Sequence, residues 1–105
     1  MIAITRDVSP AIARCELTHL ERTAIDVDLA CAQHAAYERL LARLGCAVYR
    51  LTADPDMADS VFIEDTAIVL DEVAVIARPG ALSRRSETPG VVQALRPHRT
   101  LASIV

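Results

Sequence analysis

The chain has 105 residues, 52% of them apolar, and eleven basic against fourteen acidic side chains give it a net charge of −3. That length fits one domain or part of one, and a compact fold of this size buries roughly 65% of the surface its unfolded chain exposes, which excludes a disordered polymer. Every basic residue is arginine, aromatics make up 3% and tryptophan is absent, so with no basic stripe and few stacking platforms nucleic acid is excluded as a partner.

Residues 2–5 form a short apolar run that reads as a strand. Residues 6–27 mix Pro10, Thr18, Thr23 and several charges without periodicity, and read as a loop with at most one short turn of helix. From Asp28 the pattern becomes helical: Leu29, Ala36, Tyr37, Leu40, Leu41 and Leu44 recur on one stripe, while Gln33, Glu38, Arg39 and Arg43 fall on other faces. Asp26 or Asp28 suits the N-cap, and Gly45 supplies the left-handed residue that ends the helix. Residues 46–51 alternate as a strand, and a polar turn follows at 53–56.

Next, Val61, Phe62 and Ile63 lead into a strand at 67–70, Asp71 and Glu72 make a tight turn, and residues 73–77 run back. These near-continuous apolar strands predict a hairpin covered on both faces. Pro79 and Gly80 break the second strand, and an arginine-bearing loop spans 83–86. Thr88 reads as an N-cap with Pro89 at the first helical position, giving a short helix over 91–95 that Pro97 stops. Residues 101–105 read as a final strand. The order of elements repeats roughly every fifty residues, in architecture rather than in side-chain pattern.

No membrane partner is expected, because Asp71 and Glu72 interrupt the most hydrophobic region well short of the ~20 residues a span requires. Arg6 and Asp7 break any secretory core, so a cytoplasmic location is expected. Cys15, Cys31 and Cys46 cannot all pair and form no C-x-x-C motif. Cys31 and Cys46 read as small buried hydrophobes, whereas Cys15 lies in a polar stretch. Cys15 with His19, and Cys31 with His34, are single pairs in different elements, short of the four ligands of a closed zinc site, and no metal is expected.

The densest polar constellation runs from Asp59 through Ser60, Val61, Phe62 and Ile63 to Glu64 and Asp65. A carboxylate at the start of an apolar hairpin must be paired, hydrogen-bonded or solvated in a cleft, and a guanidinium suits it through its planar donor fork. On a regular strand Glu64 and Asp65 would face opposite sides. Two readings stand: these carboxylates pair internally with Arg78, Arg84 or Arg85 or cap a turn, or they hold the cationic end of a zwitterionic ligand whose carboxylate meets an arginine of the 83–86 loop.

Phe62 to Leu70, then Ala77-Arg78-Pro79-Gly80-Ala81 and Ser83-Arg84-Arg85-Ser86-Glu87, resemble the N-terminal region of dimethylarginine dimethylaminohydrolases. Leu17-Thr18-His19-Leu20 and Gln33-His34-Ala35-Ala36-Tyr37 are similar to the same family, so that the resemblance covers essentially the whole chain. These enzymes belong to the guanidino-modifying (pentein) superfamily with arginine deiminases and amidinotransferases. The resemblance implies an α/β fold made of two ββαβ-type modules of a five-bladed propeller, an incomplete ring, with modules at about 1–52 and 53–105. It implies a small guanidino substrate, methylated arginine or arginine, and no cofactor. Asp59, Glu64 and Asp65 would bind the guanidinium side, Arg84 the amino-acid end, and Leu17 would close over the substrate.

The family's reaction uses a cysteine thiolate that attacks the guanidinium carbon and a histidine that handles protons and leaving amine, yielding citrulline and a methylamine. Those residues belong to later modules, beyond residue 105; none of the three cysteines matches the nucleophile region, and His98 beside Pro97 lacks the expected surroundings. The expectation is therefore an N-terminal part that recognises the substrate, contains no catalytic residue and is inactive alone. The alternative is a non-enzymatic module that binds arginine analogues or forms a homo-oligomer over its open module faces.

Overall fold

The computed structural model describes residues 1–17 and 19–105; Thr18, part of the 17–20 segment singled out above, lies outside the described residues. The chain divides into two compact units, Met1–Val61 and Phe62–Val105.

In the first unit, β1 (Ile2–Arg6) and β2 (Ala47–Leu51) pair in parallel, in register from Ile2 opposite Ala47 to Arg6 opposite Leu51. Parallel neighbours require a long crossover, and α1 (Val27–Arg43) lies within it. Asp26 caps α1, its Oδ1 accepting the Leu29 amide at 3.0 Å. At the other end Gly45 adopts φ +96°, the Cys46 amide reaches back to the Leu41 carbonyl at 3.0 Å and the Gly45 amide to that of Ala42 at 3.1 Å. That double closure satisfies the last free carbonyls of the helix.

The face of α1 turned inward is not the expected stripe. Leu29, Ala36, Tyr37, Leu40 and Leu44 are exposed, and the one buried side chain on the helix is Glu38. Its carboxylate is satisfied from the sheet: Thr5 Oγ1 donates to Oε1 at 2.7 Å, Arg50 Nε to Oε2 at 2.8 Å, and the Arg50 Nη2 also donates to Oε2. His34 Nε2, one turn earlier on α1, lies 3.0 Å from Oε1. A carboxylate supplied with these donors is stable inside, whereas the leucines of the opposite face have no partner layer in this unit. A single 3-10 turn, Ile12–Arg14, interrupts the loop before α1, and Ala11, Ile12 and Cys15 are buried around it. The cysteine expectation is thus corrected: Cys15 is the buried thiol, while Cys31 is exposed and Cys46 half-buried, because Cys31 sits on a solvent-facing part of α1.

In the second unit β3 (Ala67–Val69) and β4 (Val73–Ile76) form the antiparallel hairpin, closed where the Leu70 amide meets the Val73 carbonyl at 2.9 Å across Asp71 and Glu72. β5 (Thr100–Ser103) pairs in parallel with β4, and α2 (Thr88–Leu95) makes the crossover between them. The core is small: Ala74 and Ile76 of β4 against Val91 and Leu95 of α2. β3 is an edge strand, and Ile68, Val69 and the following Leu70 are exposed, so the hairpin is covered on β4 and not throughout.

Two local expectations are also corrected. Residues 61–63 do not extend the hairpin, since Ile63–Thr66 is a 3-10 turn held by the Thr66 hydroxyl on the Ile63 carbonyl at 2.6 Å. Thr88 does not cap α2: a six-residue 3-10 helix, Leu82–Glu87, runs directly into it, so Thr88 meets no open helix end and its hydroxyl donates to the Arg85 carbonyl at 3.2 Å. No helix among the described residues is long and apolar enough to cross a membrane.

Candidate functional site

In the second unit the 3-10 turn before β3 carries Glu64 and Asp65, and the 3-10 helix before α2 carries Arg84. A tight turn, unlike a strand, lets adjacent carboxylates both reach solvent, and both are exposed. Arg84 Nη1 donates to Asp65 Oδ2 at 2.7 Å and Nη2 to the Phe62 carbonyl at 3.0 Å. From the other side Glu87 grips the same guanidinium through two bonds, Nε to Oε2 at 3.0 Å and Nη2 to Oε1 at 2.9 Å. Glu87 is 1% exposed.

The two pairings differ in kind. The Arg84–Glu87 fork is bidentate and withdrawn from water, whereas the Asp65 side chain is 56% exposed and its bond to Arg84 is open to competition. Bonding to Glu87, against an opposing cost of burial and with Asp65 adding to it, raises the Arg84 pKa above its already high ordinary value. The guanidinium is permanently charged. The Glu64 side chain makes no hydrogen bond or ion pair with any described residue, and its carboxylate is available to a cation.

In the first unit Asp59 is buried, its two oxygens 3.0 and 3.2 Å from the Glu16 amide nitrogen that donates to them. Asp59 therefore holds the backbone next to Leu17, whose side chain is exposed. Arg22 fixes the same loop by donating to the Ala13 carbonyl and, at 2.7 Å, to that of Cys15.

Of the residues singled out from the sequence, the structure thus brings Asp65 and Arg84 into contact on adjoining turns that also bear Glu64, and ties Asp59 to the loop of Leu17. Internal pairing, one of the two readings of the acidic cluster, is realised for Asp65 with Arg84. Sequence reasoning gave no role to Glu87; the signal was its spacing three residues after Arg84, which a 3-10 helix converts into a neighbour on the same face.

No protein-family model matches the chain. It is 43% identical over 93 residues to a dimethylarginine dimethylaminohydrolase of Streptomyces coelicolor, a match covering 89% of this chain and 36% of that protein. Over 63 residues it is 43% identical to the Pseudomonas aeruginosa protein of the same name, covering 60% of this chain and 25% of the other. The solved Pseudomonas aeruginosa structure, complexed with citrulline, superimposes with a TM-score of 0.87 at 31% identity over 100% of this chain. The chain is homologous to the dimethylarginine dimethylaminohydrolases.

It spans 36% of the length of the Streptomyces coelicolor dimethylaminohydrolase and 42% of the solved Pseudomonas aeruginosa chain. The N-terminal domain of ArgZ, a cyanobacterial arginine dihydrolase, also superimposes, with a TM-score of 0.80 over 97% of this chain at 15% identity, a likeness that bears on the fold alone. The mixed α/β fold is shared by the dimethylaminohydrolases and these more distant neighbours.

Proposed function

We propose that this chain carries the guanidinium-recognition part of a dimethylarginine dimethylaminohydrolase-like hydrolase, and that it comprises two modules, at about 1–52 and 53–105, of a five-bladed α/β propeller. The observation that carries this reading is the exposed acidic turn with Asp65 2.7 Å from Arg84, in a chain homologous to enzymes of that name. The ligand is a methylated arginine. Glu64 and Asp65 receive its guanidinium together with Asp59, Arg84 receives its carboxylate, and Leu17 closes over it.

The physical logic is an exchange of partners. Asp65 and Arg84 already make a carboxylate–guanidinium contact, and a zwitterionic ligand offers the same two groups in one molecule. Its guanidinium takes over Asp65 and meets Glu64, while its carboxylate takes the Nη1 vacated by Asp65. Glu87 keeps its two bonds throughout, so Arg84 stays aimed. Each ion pair given up is replaced by another, and the net change in desolvation is small.

Recognition is separate from chemistry in this reading. Attack on a guanidinium carbon needs a thiolate nucleophile beside a proton-handling histidine, and we assign that role to none of Cys15, Cys31 and Cys46. Incubation of the 105-residue chain with NG,NG-dimethylarginine followed by a colorimetric assay for citrulline tests this. No citrulline is expected; turnover comparable with an intact hydrolase overturns the division of roles.

A further inference from the structure

A cleft of about 430 Å³ lies within the second unit, alongside α2 and at the carboxyl ends of β4 and β5. Arg78, Arg85 and Arg96 line it with Thr88, Gln93 and Ser103, and no aspartate or glutamate does. Three like charges around one concavity repel each other and raise a positive potential inside it, in a chain whose net charge is −3.

Several arginines outside the cleft are engaged: Arg84 with Asp65 and Glu87, Arg50 with Glu38 and Asp7, Arg99 with the Leu70 and His98 carbonyls. In the cleft, Arg85 donates its Nε to the Pro79 carbonyl at 2.9 Å, which orients the guanidinium without neutralising it. The guanidinium groups of Arg78 and Arg96 make no hydrogen bond or ion pair with any described residue.

β4, α2 and β5 form a parallel strand–helix–strand unit, and the cleft opens outside the carboxyl ends of its two strands. Arg78 and Ser103 stand at those ends, and Arg85 and Thr88 on the connection into the helix. The volume suits a small metabolite rather than a lone monovalent ion.

We infer that this cleft binds a small polyvalent oxyanion, with Arg78, Arg85 and Arg96 as its charge-bearing contacts. Guanidinium forks match both carboxylate and phosphate oxygens, so the shared chemistry is two or more anionic oxygen groups on one compact molecule. The inference stands apart from the proposed guanidino site, because Arg84, Glu64 and Asp65 do not line the cleft.

The test is a titration of the 105-residue chain with citrate, inorganic pyrophosphate and acetate at constant ionic strength, read by NMR of the arginine side-chain Nε–H groups. Citrate or pyrophosphate should bind saturably and shift Arg78, Arg85 and Arg96 together, with acetate much weaker. Preference for citrate marks a polycarboxylate ligand and preference for pyrophosphate a phosphate-bearing one; either supports the inference. Arg78→Gln and Arg96→Gln should each weaken binding about tenfold, the loss of one charge-assisted contact, while Arg39→Gln on α1 leaves it unchanged. Absence of saturation up to about 10 mM would overturn the inference. So would equal weakening by Arg39→Gln, or displacement of the anion by NG,NG-dimethylarginine, which assigns the contact to the guanidino site.

Discussion

Arg84 stands between two carboxylates of unequal worth, and the inequality makes its neighbourhood testable. Removing Arg84 strands Glu87, a carboxylate 1% exposed to solvent, and breaking a buried pair in this way costs about 3 kcal/mol. Removing Asp65, whose side chain is 56% exposed, leaves Arg84 bidentate on Glu87 and costs about 0.5 kcal/mol. Denaturant unfolding of Arg84→Ala and Asp65→Ala should separate the two variants on that scale. Similar losses would mean that the Glu87 fork does not anchor Arg84.

Glu38 gives the residue scale its pH dependence. Burial pushes its carboxyl pKa up, but hydrogen bonds from Arg50 and Thr5 and the nearby Arg50 and His34 charges outweigh burial, and the net shift is downward. A carboxyl whose folded pKa is depressed contributes its full stability above the unfolded value, and that contribution is lost as pH falls through the folded one. Thermal melts should therefore show the wild-type chain losing stability more steeply than Glu38→Gln between about pH 5 and pH 3. Parallel curves would show that the Glu38 ion pair does not couple to folding. The sequence disclosed that carboxylates near Asp65 required a guanidinium, and it disclosed the loop that supplies one. It concealed the inward turn of Glu38, because helical periodicity ranks a glutamate as outward-facing unless its donors, here Thr5 and Arg50 on two other elements, are already known.

Among the elements, α1 is the one whose ends were most legible, since a capping aspartate and a terminating glycine are local chemistry. Gly45 adopts φ +96°, and a Cβ placed there would meet nothing within 4 Å. The cost of Gly45→Ala is then conformational alone, about 1 kcal/mol, and should appear as a lowered unfolding midpoint with unchanged denaturant slope. A neutral substitution would mean that the helix ends without the left-handed residue. The hairpin turn at Asp71 and Glu72 was legible for the same local reasons, and so was the presence of α2, though not its start, where Thr88 meets no open helix end. The 3-10 turns at Ile63–Thr66 and Leu82–Glu87 were not, because no period distinguishes a short 3-10 run from a strand start or a loop. The exposure of β3 was likewise hidden: a continuous apolar strand reads as covered on both faces, and whether a second layer exists is a tertiary fact.

At the scale of the molecule, two α/β units each pair strands in parallel across a helix. In the first unit a buried carboxylate, Asp59, steadies the backbone of the Leu17 loop; in the second, a buried carboxylate, Glu87, steadies the arginine. The fold was legible in the order of the elements and in the motif around Glu64 and Asp65, whereas the division of labour between anchoring and exposed carboxylates emerged only from burial and distances. NMR titration of the 105-residue chain with NG,NG-dimethylarginine tests the guanidinium-recognition reading most directly. Shifts should concentrate at residues 62–66 and the Arg84 side chain, and Glu64→Gln should weaken binding about tenfold with an unchanged melting temperature, as expected for one exposed charge-assisted contact. Shifts confined to other regions, or a Glu64→Gln chain that binds as well as the wild type, would contradict it.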